Sequence, residues 1–246
     1  MQKSLVKALQ ILELLSNGQK DYGISEIADS LDLYKSNVHQ ILNTFEQFNY
    51  VRKDPSNHRY SLSVHFLEIA HRISSRITNQ EFIRERLQAL TDELGEITYY
   101  GVPDGSKVMY FSGAFPMSSV SNQSVLGMTA PLVCTGIGKA ILAYMPEEQI
   151  DELLSKPLEK FTDNTITDPD KLREELKKIR NNGYSVDNME HEYGVKCVAV
   201  PVLNHLGQVH GAVSITGPSL RFPASSYKKY ASKLQNVAVQ IGQSML

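Results

Sequence analysis

The sequence predicts an α+β protein with two domains, and three observations support this fold class. Apolar residues recur at helical spacing over the first 45 positions, and a short basic hairpin follows them. From about residue 96 the apolar period changes to the two-residue alternation of strands. Amphipathic helices and further strands then alternate along the rest of the chain, which is typical of a mixed, mainly antiparallel sheet with covering helices.

The first domain is predicted to begin with three short helices. Residues 3–15 keep a helical apolar spacing, and Asn17 and Gly18 end that run. Ser25 is expected to cap a second, short helix. A third helix is expected to begin near Tyr34 after a four-residue turn. The apolar stripe of this third helix consists of Val38, Ile41, Leu42 and Phe45.

A β-hairpin is expected after the third helix. Two short strands at residues 50–53 and 59–62 flank a turn at residues 54–57. Three helices closed by a hairpin form a winged helix-turn-helix, and we predict this domain for residues 1–63. Residues 64–79 are predicted to form a connecting helix, which is too apolar for a free linker and is expected to pack on a second copy of the chain.

Residues 80–246 are predicted to form the second domain. Near its start, two strands flank the turn Pro103-Asp104-Gly105, where the glycine supplies a positive φ. A later helix is expected to begin at the cap residue Asp168 and to end before Gly183. An amphipathic helix with Phe82, Ile83, Leu87, Leu90 and Leu94 as its apolar residues is predicted to run to Gly95. The later helices are expected at residues 135–144, 146–155, 169–181 and 226–241, and the later strands at 197–203 and 209–216.

Composition excludes several classes of protein. The 246 residues are 41% hydrophobic and 21% charged, as in a globular domain, and no apolar run is long enough for a membrane span. The N-terminal residues lack the apolar stretch of a signal peptide. The two cysteines, Cys134 and Cys197, form neither a disulfide framework nor a CxxC zinc motif, so we expect a reducing cytoplasm.

Bulk charge gives no sign of nucleic-acid binding, because residues 1–65 hold seven basic and seven acidic side chains. The placement of polar groups, in contrast, indicates nucleic-acid binding. Gln40 and Asn43 can each address adenine in a bidentate way, and Lys35 at the helix start can reach phosphates. The alternative is a solvated polar face, but helix, turn, helix and basic hairpin in register favour binding of double-stranded DNA. The candidate contacts are Lys35, Ser36, Asn37, His39, Gln40, Asn43, Arg52, Lys53 and Arg59.

Small residues open the helix predicted at residues 135–144. Its segment Gly136-Ile137-Gly138-Lys139 lacks the spacing of a Walker A motif. Backbone N–H groups at a helix start, unshielded by side chains, favour an anion such as a carboxylate. The alternative is that the glycines only permit close packing of the helix on the sheet, and the residues leave both interpretations open.

A second polar cluster consists of Asp187, Glu190, His191, Glu192 and Cys197. Ser214 and Thr216 alternate with apolar residues on a predicted strand, so both hydroxyls face the same side and can line a pocket. A metal site at Asp187, His191 and Cys197 lacks repeated ligand spacing, and no histidine is placed as the base for a cysteine nucleophile. These residues favour ligand binding over catalysis, and no cofactor or metal is expected.

The whole chain resembles the IclR-type transcriptional regulators. The matching segments are KSNVHQIL at residues 35–42, PLVCTGIGKAILA at 131–143, GYSVD at 183–187 and residues 190–218. The resemblance implies a DNA-binding regulator, not an enzyme, that acts as a homodimer or a dimer of dimers. It also implies a GAF-like effector-binding domain whose effectors are small organic acids.

The resemblance assigns residues to that effector site. An effector carboxylate would meet the backbone N–H groups of Gly136 and Ile137. The rest of the ligand would be surrounded by Asp187, Cys197, Ser214 and Thr216, with Leu126 and Met128 as an apolar wall. Asn37 and Gln40 stand where the family usually has Thr and Arg, which leaves the operator sequence open. Thr216 and Ile137 replace smaller residues and favour a small effector.

The expected function is that of a repressor whose operator affinity is controlled by a small organic acid. The acid can shift DNA affinity only by its differential affinity for two arrangements of the protein, typically about 1–3 kcal/mol. Two other interpretations stay open. One is an enzyme or redox sensor with a low-pKa thiol at Cys134 or Cys197, near Lys139 and Lys196. The other is a regulator without a ligand, controlled by a partner or by its abundance.

Overall fold

The computed structural model describes residues 2–17, 20–74, 79–117 and 127–245. The chain divides into two compact units, Met1–Ile77 and Thr78–Leu246. The helix predicted to connect the domains lies in the first unit, from His65 to Ser74. None of the helices in the described ranges combines the length and the apolar character that a membrane crossing needs.

The first unit is a winged helix-turn-helix, as predicted. Its elements are α1 (Lys3–Asn17), α2 (Ile24–Leu31), α3 (Lys35–Gln47), β1 (Val51–Lys53), β2 (Tyr60–Leu62) and α4 (His65–Ser74). Each helix of the motif buries one stripe, and the wing closes the same core. The core residues include Ile11, Ile27, Val38, Leu42 and Tyr60, all at most 1% exposed.

The start of α2 differs from the prediction. Ser25 lies inside the helix, and the N-cap residue is Gly23, whose backbone N–H donates to the Glu26 carboxylate at 2.8 Å. The glycine N–H and the Arg59 guanidinium together lower the pKa of Glu26 to about 2. A carboxylate in the first turn also complements the helix dipole.

The wing is an antiparallel hairpin that continues into the rest of the unit. Val51 pairs with Leu62 in its register, and Tyr22 adds an isolated antiparallel bridge to Tyr60. Rings of Tyr50 and Phe66 approach edge to face with centroids 5.5 Å apart, so the start of α4 packs on the helical motif.

The second unit is a six-stranded antiparallel sheet with covering helices. Its strands are β3 (Ile97–Asp104), β4 (Lys107–Ala114), β5 (Thr129–Pro131), β6 (Ser185–Asn188), β7 (Val195–Leu203) and β8 (Val209–Pro218). Its helices are α5 (Gln80–Leu94), α6 (Gly136–Leu142), α7 (Glu147–Leu154), α8 (Pro169–Asn182) and α9 (Tyr227–Ser244). The strand order is β5-β4-β3-β8-β7-β6, and every pairing is antiparallel.

Most of these elements were predicted, but β5 and β6 were not. Both are edge strands of four residues or fewer, too short for an alternating pattern to show in the sequence. The cap and turn residues predicted for the second unit are confirmed. Asp168 caps α8 by accepting from the N–H of Asp170 at 2.9 Å, and Gly183 ends the helix at φ +74°. Gly105 turns the β3–β4 hairpin at φ +58°.

The two faces of the sheet bury different helices. Val198, Val200 and Val213 face α5 and α9 in the largest apolar cluster. Cys197 and Ala199, which alternate with those valines on β7, face the side that carries α6. The α6 face is therefore the one on which the strand residues of the candidate effector site gather.

We expect Gly242→Ala to destabilise the protein. A Cβ at position 242 would meet the backbone carbonyl oxygen of Leu203, so α9 would have to shift on β7. In an open helix this substitution is worth about 1 kcal/mol of added stability, whereas overpacking costs about 1–3 kcal/mol. Urea unfolding measures the sign of the change in the free energy of unfolding. The control is Val239→Ala on the same helix, because Val239 is 58% exposed. A more stable Gly242→Ala variant would contradict the close packing.

Candidate functional site

Helix α3 places its polar side chains on the surface of the first unit. Val38 and Leu42 are buried, while Lys35, Ser36, His39, Gln40 and Asn43 are exposed and Asn37 is half-buried. The Asn43 amide nitrogen lies 3.3 Å from Nδ1 of His39, so these two side chains support each other one turn apart. The two amides of the prediction, on Gln40 and Asn43, therefore share the exposed side of the helix.

The three predicted cations of the wing differ in their surroundings. Arg52 and Lys53 are exposed; the Arg52 Nε donates to Ser61 at 2.9 Å, and Lys53 lies over the Tyr60 ring at 5.6 Å. Arg59 is half-buried, and its guanidinium binds the Glu26 carboxylate and the Asp21 carbonyl. Arg59 thus ties the wing to α2, and a contact with DNA at this position stays a prediction.

The start of α6 lies directly on strand β7. Thr135 caps the helix by accepting from the Gly138 N–H at 3.0 Å. A Cβ at Gly136 would lie 2.6 Å from the sulfur of Cys197, so only glycine permits this approach. Close packing is therefore one role of the glycines. Within the described ranges the N–H groups of Gly136 and Ile137 donate to no protein acceptor, so they remain able to bind an anion.

Strand register brings four of the predicted effector residues together. Asp187 pairs with Cys197, and Cys197 pairs with Thr216, so the three lie in one row across β6, β7 and β8. Ser214 lies two positions before Thr216 and faces the same side. Thr216 is half-buried, and the other three are at most 6% exposed. A polar cluster thus lies beneath the first turn of α6.

Two buried atoms of this region have no hydrogen-bond partner among the described residues. They are the Ser214 hydroxyl and the Glu190 Oε2 oxygen. Most buried polar groups in proteins are paired, so an unpaired hydroxyl beneath a helix start marks a place for a polar ligand group. Asp187, in contrast, accepts from the Glu190 backbone N–H at 2.7 Å. Burial raises the pKa of Asp187 to about 7.

Met128 does not belong to the row of residues across β6, β7 and β8. Met128 precedes β5, at the opposite edge of the sheet from β6, and its side chain is 58% exposed. Leu126 lies outside the described residues. Neither thiol is of the low-pKa kind, because burial raises the pKa of Cys134 and of Cys197 to about 12. In the described ranges, no three His, Cys, Asp or Glu side chains gather as metal ligands.

Sequence reasoning missed the role of Lys139. This lysine is fully buried and forms an ion pair with Glu190, with 2.5 Å between Nζ and Oε1. A lysine within a run of Gly, Ile, Ala and Leu is the signal that could have predicted its burial. Sequence reasoning also missed the aromatic rings of Tyr99 and Tyr110, whose centroids are 5.2 Å apart on the α6 side of the sheet.

The raised pKa of Asp187 makes stability depend on pH. The folded protein keeps this carboxyl protonated up to about pH 7, whereas the unfolded chain loses the proton near its ordinary pKa of 3.8. Folding therefore takes up a proton between these values, and the free energy of unfolding falls as pH rises through that window.

We expect Asp187→Asn to gain stability relative to wild type as pH rises from 5 to 7, by at most about 1.4 kcal/mol per pH unit. Urea unfolding at several pH values measures the difference. The control is the exposed Asp163→Asn, because the hydrogen bond from Lys160 lowers the pKa of Asp163 below its usual range. A pH-independent difference for Asp187→Asn would show that this carboxyl is ionised in the folded protein.

Comparison with known proteins identifies the family of the chain. The family model described as IclR helix-turn-helix domain matches residues 4–55, and that described as bacterial transcriptional regulator IclR C-terminal matches residues 73–243. The chain is 28% identical over 244 residues to the HTH-type transcriptional regulator XynR of Escherichia coli (strain K12), covering 99% of this chain and 97% of XynR.

Solved structures give the same result. The crystal structure of the Thermotoga maritima IclR matches this chain with a TM-score of 0.77. The two sequences are 30% identical, and the match covers 99% of this chain and 100% of that one. An IclR homologue from Microbacterium hydrocarbonoxydans, solved in complex with 4-hydroxybenzoate, shares the fold at 22% identity and a TM-score of 0.83, with 98% of each chain covered. Members of this family are transcriptional regulators and not enzymes. The chain belongs to the IclR family of DNA-binding transcriptional regulators, with an N-terminal helix-turn-helix domain and a C-terminal effector-binding domain.

Proposed function

We propose that this protein represses transcription as a homodimer or a dimer of dimers, and that a small organic acid bound in the C-terminal domain controls its affinity for operator DNA. The observation that carries the proposal is one chain with two sites. An exposed face of amides and a cation lies on α3. Beneath and at the start of α6, the Ser214 hydroxyl and the Gly136 and Ile137 N–H groups have no hydrogen-bond partner among the described residues. Such a protein works where DNA is found, in the cytoplasm.

The α3 face supports recognition of a half-site. We assign Gln40 and Asn43 to base edges, and Lys35, Ser36, Asn37 and His39 to the nearby backbone and bases. The wing cations Arg52 and Lys53 reach the flanking phosphates, with Arg59 in a supporting position. A bound protein that covers a promoter blocks polymerase, and this is the physical basis for repression over activation.

Exposed apolar side chains support association with a second copy. On and beside α4, Val64 is 76% exposed, Leu67 71% and Ile73 59%, and on α1, Leu5 is 55% exposed and Leu9 54%. Water contact at such residues is unfavourable, and paired half-sites on DNA need paired recognition helices. We therefore assign residues 1–63 to DNA binding, 64–79 to the connection and 80–246 to effector binding.

The cluster beneath α6 supports a small acid as the effector. The Gly136 and Ile137 N–H groups meet its carboxylate, and Ser214, Thr216, Asp187 and Cys197 surround the rest, with Leu126 and Met128 kept as a predicted wall. The Microbacterium hydrocarbonoxydans relative, which shares the fold, was solved with an aromatic acid, 4-hydroxybenzoate. Restricted space around Ile137, which is 1% exposed, favours a small acid here.

Fluorescence anisotropy on the DNA upstream of the protein's own gene, against a scrambled duplex, tests DNA recognition. We expect sequence-selective binding that weakens steeply as salt rises, because each phosphate contact releases counterions. Equal and weak binding to both duplexes would contradict the proposed regulator.

The double substitution Gln40→Ala and Asn43→Ala is expected to reduce the preference for operator over scrambled DNA. Each lost bidentate contact costs about 1–3 kcal/mol of discrimination, while non-specific affinity stays close to wild type. The control is Gln10→Ala, an exposed amide on α1. Unchanged sequence preference in the double variant would show that other residues read the bases.

The effector site is tested by a thermal-shift series with pyruvate, glyoxylate and 4-hydroxybenzoate. An acid present at 100 times its Kd stabilises the folded protein by about 2.7 kcal/mol, a shift of several degrees in Tm. We expect Gly136→Ala to abolish that shift, because its methyl group collides with Cys197, while His205→Ala in an exposed turn keeps it. A shift that survives Gly136→Ala would place the acid elsewhere, and no shift with a wider series of acids would favour a regulator without a ligand.

A further inference from the structure

A buried ion pair joins helix α6 to the loop after strand β6. Lys139 is fully buried, and its Nζ donates to Oε1 of Glu190 at 2.5 Å and to the Val186 carbonyl at 2.8 Å. A third contact, 3.8 Å long, leads to the Glu175 carboxylate on α8. Two of the three ammonium hydrogens thus bind protein oxygens, and two carboxylates of the chain balance the charge of this fully buried cation.

The same pair determines where Asp187 lies. Val186, whose carbonyl binds Lys139, directly precedes Asp187 on β6. Glu190, whose carboxylate binds Lys139, donates its backbone N–H to the Asp187 carboxyl at 2.7 Å. Val186 and Glu190, which flank Asp187 in sequence and in contact, are therefore both bound to the Lys139 ammonium group of α6.

Besides the lysine, one neighbouring strand and several side-chain hydrogen bonds hold strand β6. In the described part of the sheet it is an edge strand paired with β7, and the Asn164 amide donates to the Asn188 carbonyl at 2.8 Å. The Ser185 hydroxyl adds one bond to the Gly136 carbonyl at 2.6 Å. In the loop that follows, Met189 adopts a φ of +61°, a conformation that a methionine holds only when its surroundings fix it. Thr162 and Thr165 supply part of that support by donating to the Met189 and Glu190 carbonyls, both at 2.6 Å.

We infer that Lys139 and Glu190 are positioning residues that clamp β6 onto α6 and so hold Asp187 opposite the Gly136 and Ile137 N–H groups. The inference deepens the proposed function, on which it rests for what the site binds. The clamp consists of residues of the chain itself, so its formation requires no effector. When the pair is broken, β6 and its loop separate from the start of α6 while the rest of the sheet stays folded.

Cys197 reports on this separation without any effector. Its sulfur lies against Gly136 at the base of the cluster, and it is 6% exposed. Cys134 is buried in the apolar cluster of α6, α7 and α8, and it serves as an internal reference. The experiment measures N-ethylmaleimide labelling of each cysteine in the full-length protein by peptide mass spectrometry, beside urea unfolding of the same samples.

Four variants distinguish a role of the ion pair in positioning β6 from a contribution to the global stability of the protein. Lys139→Met and Glu190→Gln each break the clamp. Lys139→Met combined with Glu190→Leu removes both charges, which relieves the cost of an unpaired buried charge but leaves β6 unclamped. Arg173→Met breaks a more exposed ion pair between α7 and α8, at the Asp151 carboxylate, and is the control for loss of an ion pair away from β6.

We expect Cys197 labelling to accelerate by about tenfold or more in Lys139→Met, with a smaller increase in Glu190→Gln, because local opening precedes global unfolding. Cys134 labelling does not accelerate in Lys139→Met, because Lys139 also lowers the pKa of Cys134, and the Arg173→Met control labels Cys197 at the wild-type rate. Removing a positive charge near a thiol raises its pKa and slows alkylation, so acceleration in Lys139→Met cannot be an electrostatic effect. The charge-free double variant regains the stability lost in Lys139→Met and keeps the fast Cys197 labelling.

Three outcomes would overturn the clamp. If both cysteines were labelled in proportion to the fraction of globally unfolded protein, the pair would contribute only to stability. The same conclusion would follow if the double variant regained both its stability and the wild-type protection of Cys197. Wild-type labelling in Lys139→Met and Glu190→Gln would mean that β6 is held without them. No effector enters this experiment, so its failure is distinct from a failure to find an acid that binds.

Discussion

The second unit depends on the close approach of the first turn of α6 to strand β7. Gly136 has no side chain to keep the sulfur of Cys197 away, and the Ser185 hydroxyl fastens the same turn to β6 through the Gly136 carbonyl. The helix start, whose Gly136 and Ile137 N–H groups donate to no protein acceptor in the described ranges, therefore lies against the strand that carries Cys197. The same contact therefore determines both the packing of this face of the sheet and the chemistry of the candidate effector site.

Polar groups are concentrated in one part of an otherwise apolar interior. The opposite face of the sheet is packed by valines, leucines and isoleucines against α5 and α9. Beneath α6, by contrast, lie an ion pair, a carboxyl whose pKa burial raises to about 7, and two polar atoms without partners. Groups of this kind reduce stability unless they are satisfied, and proteins concentrate them at functional sites. The concentration of such groups beneath α6 is what the proposed ligand-binding role would require.

The first unit separates structural and recognition roles among its charged residues. Glu26 and Arg59 form a half-buried pair that fastens the wing to α2, and the Gly23 N–H completes the helix start. The amides on α3 take no part in that framework; Gln40 and Asn43 lie exposed above a buried stripe. A rigid support with an exposed polar helix is suited to reading base edges, because the contacts are held in place before DNA arrives.

Local sequence signals determined the elements whose formation is itself local. Periodicity predicted α3 and the long strands, the cap residue Asp168 marked the start of α8, and Gly105 marked the β3–β4 turn, since each of these features depends on neighbours within a few positions. The short edge strand β6 has no such pattern, and its position depends on pairing with β7. Only the tertiary structure decided that Lys139 meets Glu190, 51 positions away, and that Arg59 binds Glu26 rather than solvent. A charged side chain pairs with whichever opposite charge the fold brings to it, and no local pattern encodes that partner.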